Sequence, residues 1–255
     1  MKQKIDFWNP ELYKNKHAFV YDYGTDLIGI LKPQKHERIL DLGCGSGQLT
    51  ATISKLVAGV VGMDKSLQMI RSAQHTYPQL DFQVGNAASF SFKQPFDAIF
   101  SNATLHWVLD YKAAIACMYQ HLKPSGRLVL EFGGKDNVKA IVQQLQKSLI
   151  TRGYTTQSQL NCWFFPSIGT YTSALEAQGF TVTLAHYFDR PTPLADEQTG
   201  IKDWLSMFAS SFFIDVDKKD ILSIQNEVQE QLKPLLLKNG TWLADYRRIR
   251  ITAYK

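Results

Sequence analysis

The 255-residue sequence contains only three cysteines, which are far apart: Cys44, Cys117 and Cys162. They form no C-x-x-C pair and have no histidine at zinc-binding spacing, so neither a secreted disulfide framework nor a metal site is expected. No run of 18 apolar residues occurs, and the N-terminal segment lacks the apolar core of a signal peptide. These absences predict a soluble, cytoplasmic protein without a membrane span.

The chain also lacks a large excess of charge of one sign. It has 28 Lys and Arg against 23 Asp and Glu, a formal net charge of +5. The densest basic group, Arg247, Arg248 and Arg250, lies on a predicted strand and is too small to indicate a nucleic-acid partner. Apolar residues make up 45% of the chain and charged residues 20%, which is typical of a globular protein. Nothing in the sequence indicates an oligomeric state.

Apolar runs and amphipathic segments alternate through the first part of the chain. Strands are predicted at 38–43, 59–64, 81–86, 96–102 and 127–132, and helices at 48–57, 111–122, 137–151 and between Ser66 and Pro78. Strands that are apolar throughout and separated by helices are typical of a parallel sheet covered on both faces. The pattern therefore predicts an α/β fold of Rossmann-like architecture.

The two ends of the chain depart from this alternation. Residues 9–31 predict an opening helix, and residues 181–188 and 247–254 predict two further strands. Residues 153–170 are predicted to be irregular, and Pro234 is expected to end or kink a long amphipathic helix. We expect one domain with an N-terminal lid helix (1–37), a Rossmann-like core (38–190), a helical cap insertion (191–246) and a final strand (247–255).

A glycine-rich loop follows the first predicted strand. Gly43, Gly45 and Gly47 form a G-x-G-x-G pattern, in which the missing Cβ atoms permit a sharp turn and the close approach of a ligand. A tight strand-to-helix turn is the alternative interpretation. The dinucleotide fingerprint would need a glycine at the position of Gln48, which disfavours a dehydrogenase. Asp64 ends the second predicted strand, where a carboxylate can bind both ribose hydroxyls of a nucleoside.

Five motifs occur in the order in which one enzyme family has them. They are ILDLGCGSGQLT, VVGMDKS, VGNA, FDAIFSNATLHWV and LKPSGRLVLEF. With these motifs the chain resembles the class I S-adenosylmethionine-dependent methyltransferases, and WNPELY and SNATLHWV are similar to the trans-aconitate methyltransferase group. The resemblance implies a seven-stranded, mostly parallel sheet whose last strand is antiparallel. It also implies S-adenosylmethionine as cofactor and a small-molecule methyl acceptor as partner.

The resemblance further implies which residues bind the cofactor. They are Asp41, Gly43, Gly45, Gly47, Asp64, Lys65, Met69, Asn86, Ala87, Asn102 and Ala103. Asp41 would lie near the methionyl ammonium group and Asp64 on the ribose hydroxyls, while the backbone of Asn102 and Ala103 would contact the methionyl group. Asn86 stands where relatives commonly carry Asp, and its amide oxygen can still accept a hydrogen bond from the adenine amino group without the charge.

The acceptor side of the site has fewer signals. His106 is the catalytic candidate, as a base or as a hydrogen-bond donor, with a structural histidine as the alternative. Arg190 could bind a carboxylate with two parallel hydrogen bonds. Trp204 and Phe208 are interpreted as part of the core of the cap. The remaining substrate candidates are Tyr13, His17, Trp107 and Trp163.

The leading hypothesis is a methyltransferase that modifies a small molecule at a carboxylate oxygen, as in a trans-aconitate-like acid. A carboxylate is ionised at neutral pH, so its methylation needs no general base. A quinone or an acyl thioester remains an alternative acceptor. A module that binds S-adenosylmethionine without transferring the methyl group is a third possibility.

Overall fold

The computed structural model describes residues 19–255, with side chains described from residue 24 onward. The substrate candidates Tyr13 and His17, and much of the predicted lid helix, lie outside the described residues. The described part of that helix is α1, Phe19–Leu31. Its buried Leu27 and Leu31 pack in one cluster with Ile39 and Phe100 of the sheet, so α1 covers one face of the central strands.

The described residues form one mixed sheet of eight strands. They are β1 (Arg38–Leu42), β2 (Gly59–Asp64), β3 (Asp81–Val84), β4 (Phe96–Asn102), β5 (Leu122–Gly133), β6 (Thr181–Pro193), β7 (Leu237–Lys238) and β8 (Thr241–Tyr254). Their order is β3-β2-β1-β4-β5-β8-β6, with β7 paired to β8 outside this series. Strands β1 to β5 pair in parallel, and β8 runs antiparallel to both β5 and β6.

The fold class and the antiparallel last strand are confirmed, whereas the predicted count of seven strands omits β7. A two-residue strand is too short to produce an alternating pattern. The central strands are apolar on both faces, and Ile39, Leu40, Ile99 and Phe100 are fully buried. This burial is the reason why β1 and β4 appear in the sequence as nearly continuous apolar runs.

Helices cover both faces of the sheet. After α1 they are α2 (Gln48–Ser54), α3 (Leu67–Thr76), α4 (Tyr111–His121), α5 (Lys139–Thr151), α6 (Thr155–Ser158), α7 (Ile168–Gln178), α8 (Gly200–Phe208) and α9 (Lys218–Leu236), with short 3-10 turns at Leu105–Trp107 and Ser210–Phe213. Side chains cap three of them: the oxygens of Ser66, Asp110 and Ser167 accept hydrogen bonds from the first-turn backbone of α3, α4 and α7.

Several predicted boundaries differ from the observed ones. The segment 153–170, predicted to be irregular, contains α6 and the start of α7. Helix α9 does not end at Pro234 but continues to Leu236, so the proline lies in its last turn. Strand β5 begins at Leu122, before its predicted start at residue 127, and Ser125 within it has a φ of 62°.

The segment between β6 and β8 forms a cap with its own hydrophobic cluster. Ile201 and Trp204 of α8 pack there with Ile224 of α9, Leu145 of α5 and Trp242 of β8. Both flanking strands are longer than predicted, since β6 extends to Pro193 and β8 begins at Thr241. Strand β8 therefore connects the cap cluster to the sheet. No helix in the described part of the chain is both long and apolar enough to cross a bilayer.

Candidate active site

The glycine loop lies at the carboxyl end of β1, where the order of the strands reverses between β1 and β4. Gly43, Gly45 and Gly47 have φ values of 81°, 54° and 87°, all in the left-handed region. The backbone N–H groups of Gly43 and Cys44 both donate to the carbonyl of Met63, at 2.6 and 3.0 Å. A Cβ on Gly45 would meet no atom within 4 Å, so the loop presents bare backbone to open space. This crevice is where open α/β sheets bind their ligands.

Asp64 connects this loop to the next helix. Its Oδ2 accepts a hydrogen bond from the backbone N–H of Gly45 at 2.9 Å, and its Oδ1 accepts one from Ser66 at 2.8 Å. The carboxylate is half-buried at the tip of β2. The loop and the acid, which are separated in the sequence, thus form one cradle of backbone and carboxylate. Its shape and polarity fit the nucleoside part of S-adenosylmethionine.

Asp41 is buried directly beneath the loop. The hydroxyl of Thr50 donates to its Oδ2 at 2.6 Å. Burial, opposed by the hydrogen bond from Thr50 and reinforced by the charge of Asp64, raises the pKa of Asp41 from 3.8 to about 7. Near neutral pH the carboxyl group of Asp41 is therefore partly protonated and partly ionised, and a nearby cation would favour the ionised form.

We expect Asp41→Asn to raise the free energy of unfolding of the ligand-free protein at pH 8 by about 2 kcal/mol. The pKa of Asp41 is higher in the folded than in the unfolded state, so the folded state binds more protons between pH 3.8 and about 7. Its contribution to stability consequently falls as the pH rises through this range. Asparagine keeps an acceptor for Thr50 and carries no charge. Urea unfolding at pH 5 and pH 8 measures the effect, and an equal pH dependence in both proteins would contradict the prediction.

Four further residues that the resemblance assigns to the cofactor lie around the ends of β2 and β3. Lys65 is exposed, whereas Met69 and Ala87 are buried. Asn86 is exposed, and its Oδ1 accepts a hydrogen bond from the backbone N–H of Ala88 at 3.1 Å. This local turn shapes the loop after β3, and the contact of Asn86 with adenine stays a prediction.

The end of β4 is fixed to the glycine loop. Ala103 has a φ of 55°, a conformation that costs about 1 kcal/mol or more for a residue with a Cβ. Its N–H donates to the carbonyl of Glu131 at 2.7 Å, and the hydroxyl of Thr104 donates to the carbonyl of Gly43 at 3.2 Å. The backbone that follows Asn102 is thereby held against both β1 and β5.

A pocket that is partly open to solvent begins at Ala103 and lies between the sheet and the cap. Its further lining residues are His106, Trp107, Asn137, Val138, Trp163, Phe165, Trp204, Phe208, Tyr246 and Arg248. The ring of Trp163 stacks on Phe165 with centroids 5.8 Å apart, and meets Trp107 edge-on at 5.6 Å. The structure thus brings the candidates His106, Trp107 and Trp163 together in one aromatic pocket.

Trp204 and Phe208 have a second role beyond the predicted one. Trp204 belongs to the core of the cap, as the sequence indicates, and its Nε1 donates to the hydroxyl of Tyr246 at 2.7 Å. Both side chains also line the pocket. The cap helix α8 therefore supplies one wall of the site.

Arg248 is the charged residue among the described residues that line this pocket, and it is not one of the site residues predicted from the sequence. Arg248 is only 5% exposed. Its guanidinium carbon lies over the ring of Tyr246, 4.6 Å from the ring centroid. Side chains alternate along β8, so the neighbouring Arg247 points to the opposite face, where it pairs with Asp189 at 3.0 Å. The sequence does contain a signal for Arg248. Large residues at the even positions 242, 246 and 248 share one face of β8, so the arginine at 248 is expected on the face toward the cap.

His106 is buried beside Arg248. Its Nδ1 accepts a hydrogen bond from the backbone N–H of Gly133 at 3.3 Å, and its carbonyl accepts one from Phe164 at 2.8 Å. Burial, together with the positive charge of Arg248, lowers the pKa of His106 well below its usual value of 6.5. An efficient general base needs a pKa near the working pH, so the geometry and the electrostatics favour the interpretation of His106 as a donor.

Arg190 does not line the pocket. Its guanidinium forms hydrogen bonds to both carboxylate oxygens of Glu131, which is 2% exposed and is also bound by Arg250 at 2.7 Å. The two parallel donors expected for a substrate are thus used within the protein. The structure therefore gives Arg190 a role in joining β6 to β5 across β8.

Arg190→Met is expected to lower the free energy of unfolding by about 2 kcal/mol and to leave the KM for the acceptor unchanged. Glu131 keeps Arg250, so the loss is smaller than the 3–5 kcal/mol typical of an isolated buried ion pair. Chemical denaturation and steady-state kinetics measure the two quantities. A tenfold increase of KM without loss of stability would restore the role predicted from the sequence.

Comparison with known proteins shows the family of this chain. Residues 40–130 match the family described as "Methyltransferase domain". An uncharacterized methyltransferase of Schizosaccharomyces pombe is 31% identical over 265 residues, 98% of each chain. A trans-aconitate 2-methyltransferase of Escherichia coli is 26% identical over 256 residues, and the alignment covers 96% of this chain and 97% of that enzyme. A crystal structure of an S-adenosylmethionine-dependent methyltransferase from Mesorhizobium loti shares the fold, with a TM-score of 0.55, 17% identity and coverage of 91% and 96%.

The strand order, the cradle and the full-length similarity agree with one another. The antiparallel β8 lies beside β5, and the cradle at Gly45 and Asp64 opens at the point where the strand order reverses. S-adenosylmethionine is the cofactor for which these residues are suited. The chain belongs to the class I S-adenosylmethionine-dependent methyltransferases.

Proposed function

We propose that this methyltransferase esterifies a small acid at a carboxylate oxygen, and that the acid carries at least one further carboxylate. The observation that supports this assignment is Arg248, a buried guanidinium in a pocket otherwise built mainly from aromatic side chains. The acceptor class is that of trans-aconitate-like acids. Similarity to enzymes named trans-aconitate 2-methyltransferase points in the same direction.

The chemistry of the pocket favours an anionic ligand. A guanidinium binds a carboxylate through two parallel charge-assisted hydrogen bonds. Aromatic walls exclude water, and the attraction between opposite charges is stronger in such surroundings than at a surface. The guanidinium of Arg248 lies 4.6 Å from the centroid of the Tyr246 ring, a cation–π contact with the wall of the pocket. A carboxylate is the small anion that best matches the planar donor geometry of a guanidinium.

The carboxylate bound by Arg248 differs, in this proposal, from the one that is methylated. An ion pair neutralises the charge of a carboxylate and makes it a weaker nucleophile. A second carboxylate of the same molecule would lie toward Ala103, where the pocket meets the cofactor cradle. It is ionised at neutral pH and needs no base, which agrees with the low pKa of His106.

The bound cofactor would supply an electrophilic methyl group on a sulfonium centre. The residues of this chain align the acceptor and exclude water. The glycine loop and Asp64 would hold the methyl donor, while Arg248 and the aromatic walls would hold the acid. Attack of the carboxylate on the methyl group then becomes effectively intramolecular. Trp107 and Trp163 would form the face against which the carbon skeleton of the acid packs.

The same aromatic walls favour the second candidate, a flat or apolar acceptor. Trp107, Trp163 and Phe165 form a continuous aromatic surface that a quinol ring or an acyl thioester could contact. Such acceptors carry no anion that a guanidinium could bind. The arginine in the lining of the pocket therefore ranks the acid first.

A radiolabelled methyl-transfer assay tests the proposal. The panel contains di- and tricarboxylic acids, quinols and acyl thioesters, with S-adenosylmethionine labelled in its methyl group. The expected product is a polycarboxylic acid whose label is released by mild alkali, as from an ester. The matched control is the same acid with one carboxylate converted to an amide, which should be a poor acceptor. Transfer to quinols or thioesters but to no acid would overturn the proposal.

A further inference from the structure

Gly133 at the end of β5 lies between the two polar groups of the pocket. Its N–H donates to Nδ1 of His106 at 3.3 Å, and it is the cross-strand partner of Arg248 on β8. A Cβ at this position would lie 2.7 Å from the ring of Phe165 and 2.8 Å from the amide of Asn137. A side chain on residue 133 would therefore displace Phe165 and Asn137, which line the pocket.

This hydrogen bond fixes the tautomer of His106. A backbone N–H can only donate, so Nδ1 must accept and carries no proton. The imidazole is neutral because burial and the charge of Arg248 lower its pKa. Its single proton is therefore on Nε2. The ring lines the pocket, and in the described part of the chain no group accepts a hydrogen bond from Nε2.

We propose that His106 donates a hydrogen bond from Nε2 to the acceptor and that, with Arg248, it binds the carboxylate that is not methylated. Gly133 positions both groups, the imidazole through its N–H and the guanidinium through strand pairing. The identity of the acceptor rests on the function proposed above, whereas the tautomer does not. His106 is thus a residue that orients the substrate and selects for an anion with two acceptor oxygens.

Two alternative roles are disfavoured by the same contacts. A general base must present a lone pair to the acceptor, but the nitrogen available to the pocket carries the proton. A purely structural histidine is expected to have both nitrogens satisfied within the protein. His106 has one nitrogen bound to Gly133 and the other directed away from that bond.

Two substitutions separate these roles. His106→Gln places an amide N–H near the position of Nε2 and keeps the donor, whereas His106→Asn places an oxygen near Nδ1 and keeps the bond to Gly133. We expect the glutamine variant to retain the KM of the wild type within about threefold and the asparagine variant to raise it about tenfold. The change in kcat should be smaller than the change in KM in both variants.

The remaining outcomes overturn the proposal in different ways. A loss of kcat of more than about 100-fold in both variants would indicate a base. Equal KM values in both variants, with loss of stability only, would indicate a structural role. Nitrogen-15 NMR of ligand-free protein labelled at its six histidines, assigned by comparison with His106→Gln, reports the tautomer without any acceptor. Protonation of Nδ1 would refute the proposal, whereas protonation of Nε2 with no acid as substrate would refute only the proposed function.

Discussion

Arg248→Met is expected to lower kcat/KM for a dicarboxylate acceptor about 100-fold, mainly through an increase of KM. Methionine fills a similar volume on β8 but cannot pair with an anion. A hydrogen bond to a charged group contributes about 1.5–3 kcal/mol, and an acceptor carboxylate buried without a partner adds to the loss. A total of about 3 kcal/mol corresponds to roughly 100-fold. Steady-state kinetics with the best acid of the panel measures the effect.

Arg247→Met is the matched control for this variant. It changes the same residue type on the same strand, but the side chain lies on the opposite face and pairs with Asp189. We expect turnover of the acid to be unchanged in this control, and calorimetry to give the wild-type affinity for S-adenosylmethionine in both variants. Equal kinetics of Arg248→Met and Arg247→Met would remove Arg248 from the acceptor site.

Asp64→Ala is expected to weaken the binding of S-adenosylmethionine about 100-fold. A tenfold loss is the smallest effect that agrees with the assigned role. A tenfold loss corresponds to about 1.4 kcal/mol. The alanine variant loses the acceptor proposed for the ribose hydroxyls, and it also leaves the N–H groups of Gly45 and Ser66 without the carboxylate that now binds them. The glycine loop would then be less ordered before the ligand arrives, which adds an entropic cost.

Titration calorimetry of two further variants defines the effect of Asp64. Asp64→Asn keeps one oxygen acceptor and should fall between the wild type and the alanine variant. Asp81→Ala removes an exposed carboxylate from the adjacent strand β3 and should bind the cofactor normally. An unchanged affinity in a folded Asp64→Ala protein would contradict the assignment of the ribose to this residue.

The sequence is most informative about the cofactor half because its signals there are local. Apolar runs such as that of β1 arise from burial on both faces, and the requirement for glycine at Gly43 and Gly47 follows from the φ of each residue. The pairing of the loop with Asp64 could be expected from strand ends alone, since parallel strands bring their carboxyl ends to one edge. These features depend on neighbouring residues and on a regular architecture.

The acceptor half is less predictable because it depends on packing between distant segments. Arg190 and Arg248 look alike in the sequence, and the structure distinguishes them because Arg190 binds the buried Glu131 whereas Arg248 lines the pocket. The helix α7 was missed because only Tyr171 and Leu175 of its 11 residues are fully enclosed. Trp204 packs in the core of the cap and also lines the pocket. Helical spacing in the sequence cannot distinguish these two roles.

The arrangement of the chain has a consequence for how such an enzyme can change its substrate. The cradle is built from residues 41 to 64 and meets the pocket at Ala103, whereas the arginine and much of the aromatic wall come from residues 163 to 248. Mutations in the later segment can therefore reshape the acceptor pocket without altering the methyl-donor cradle. The specificity for the acceptor can therefore change during evolution through residues 163 to 248, while residues 41 to 64 continue to bind the same methyl donor.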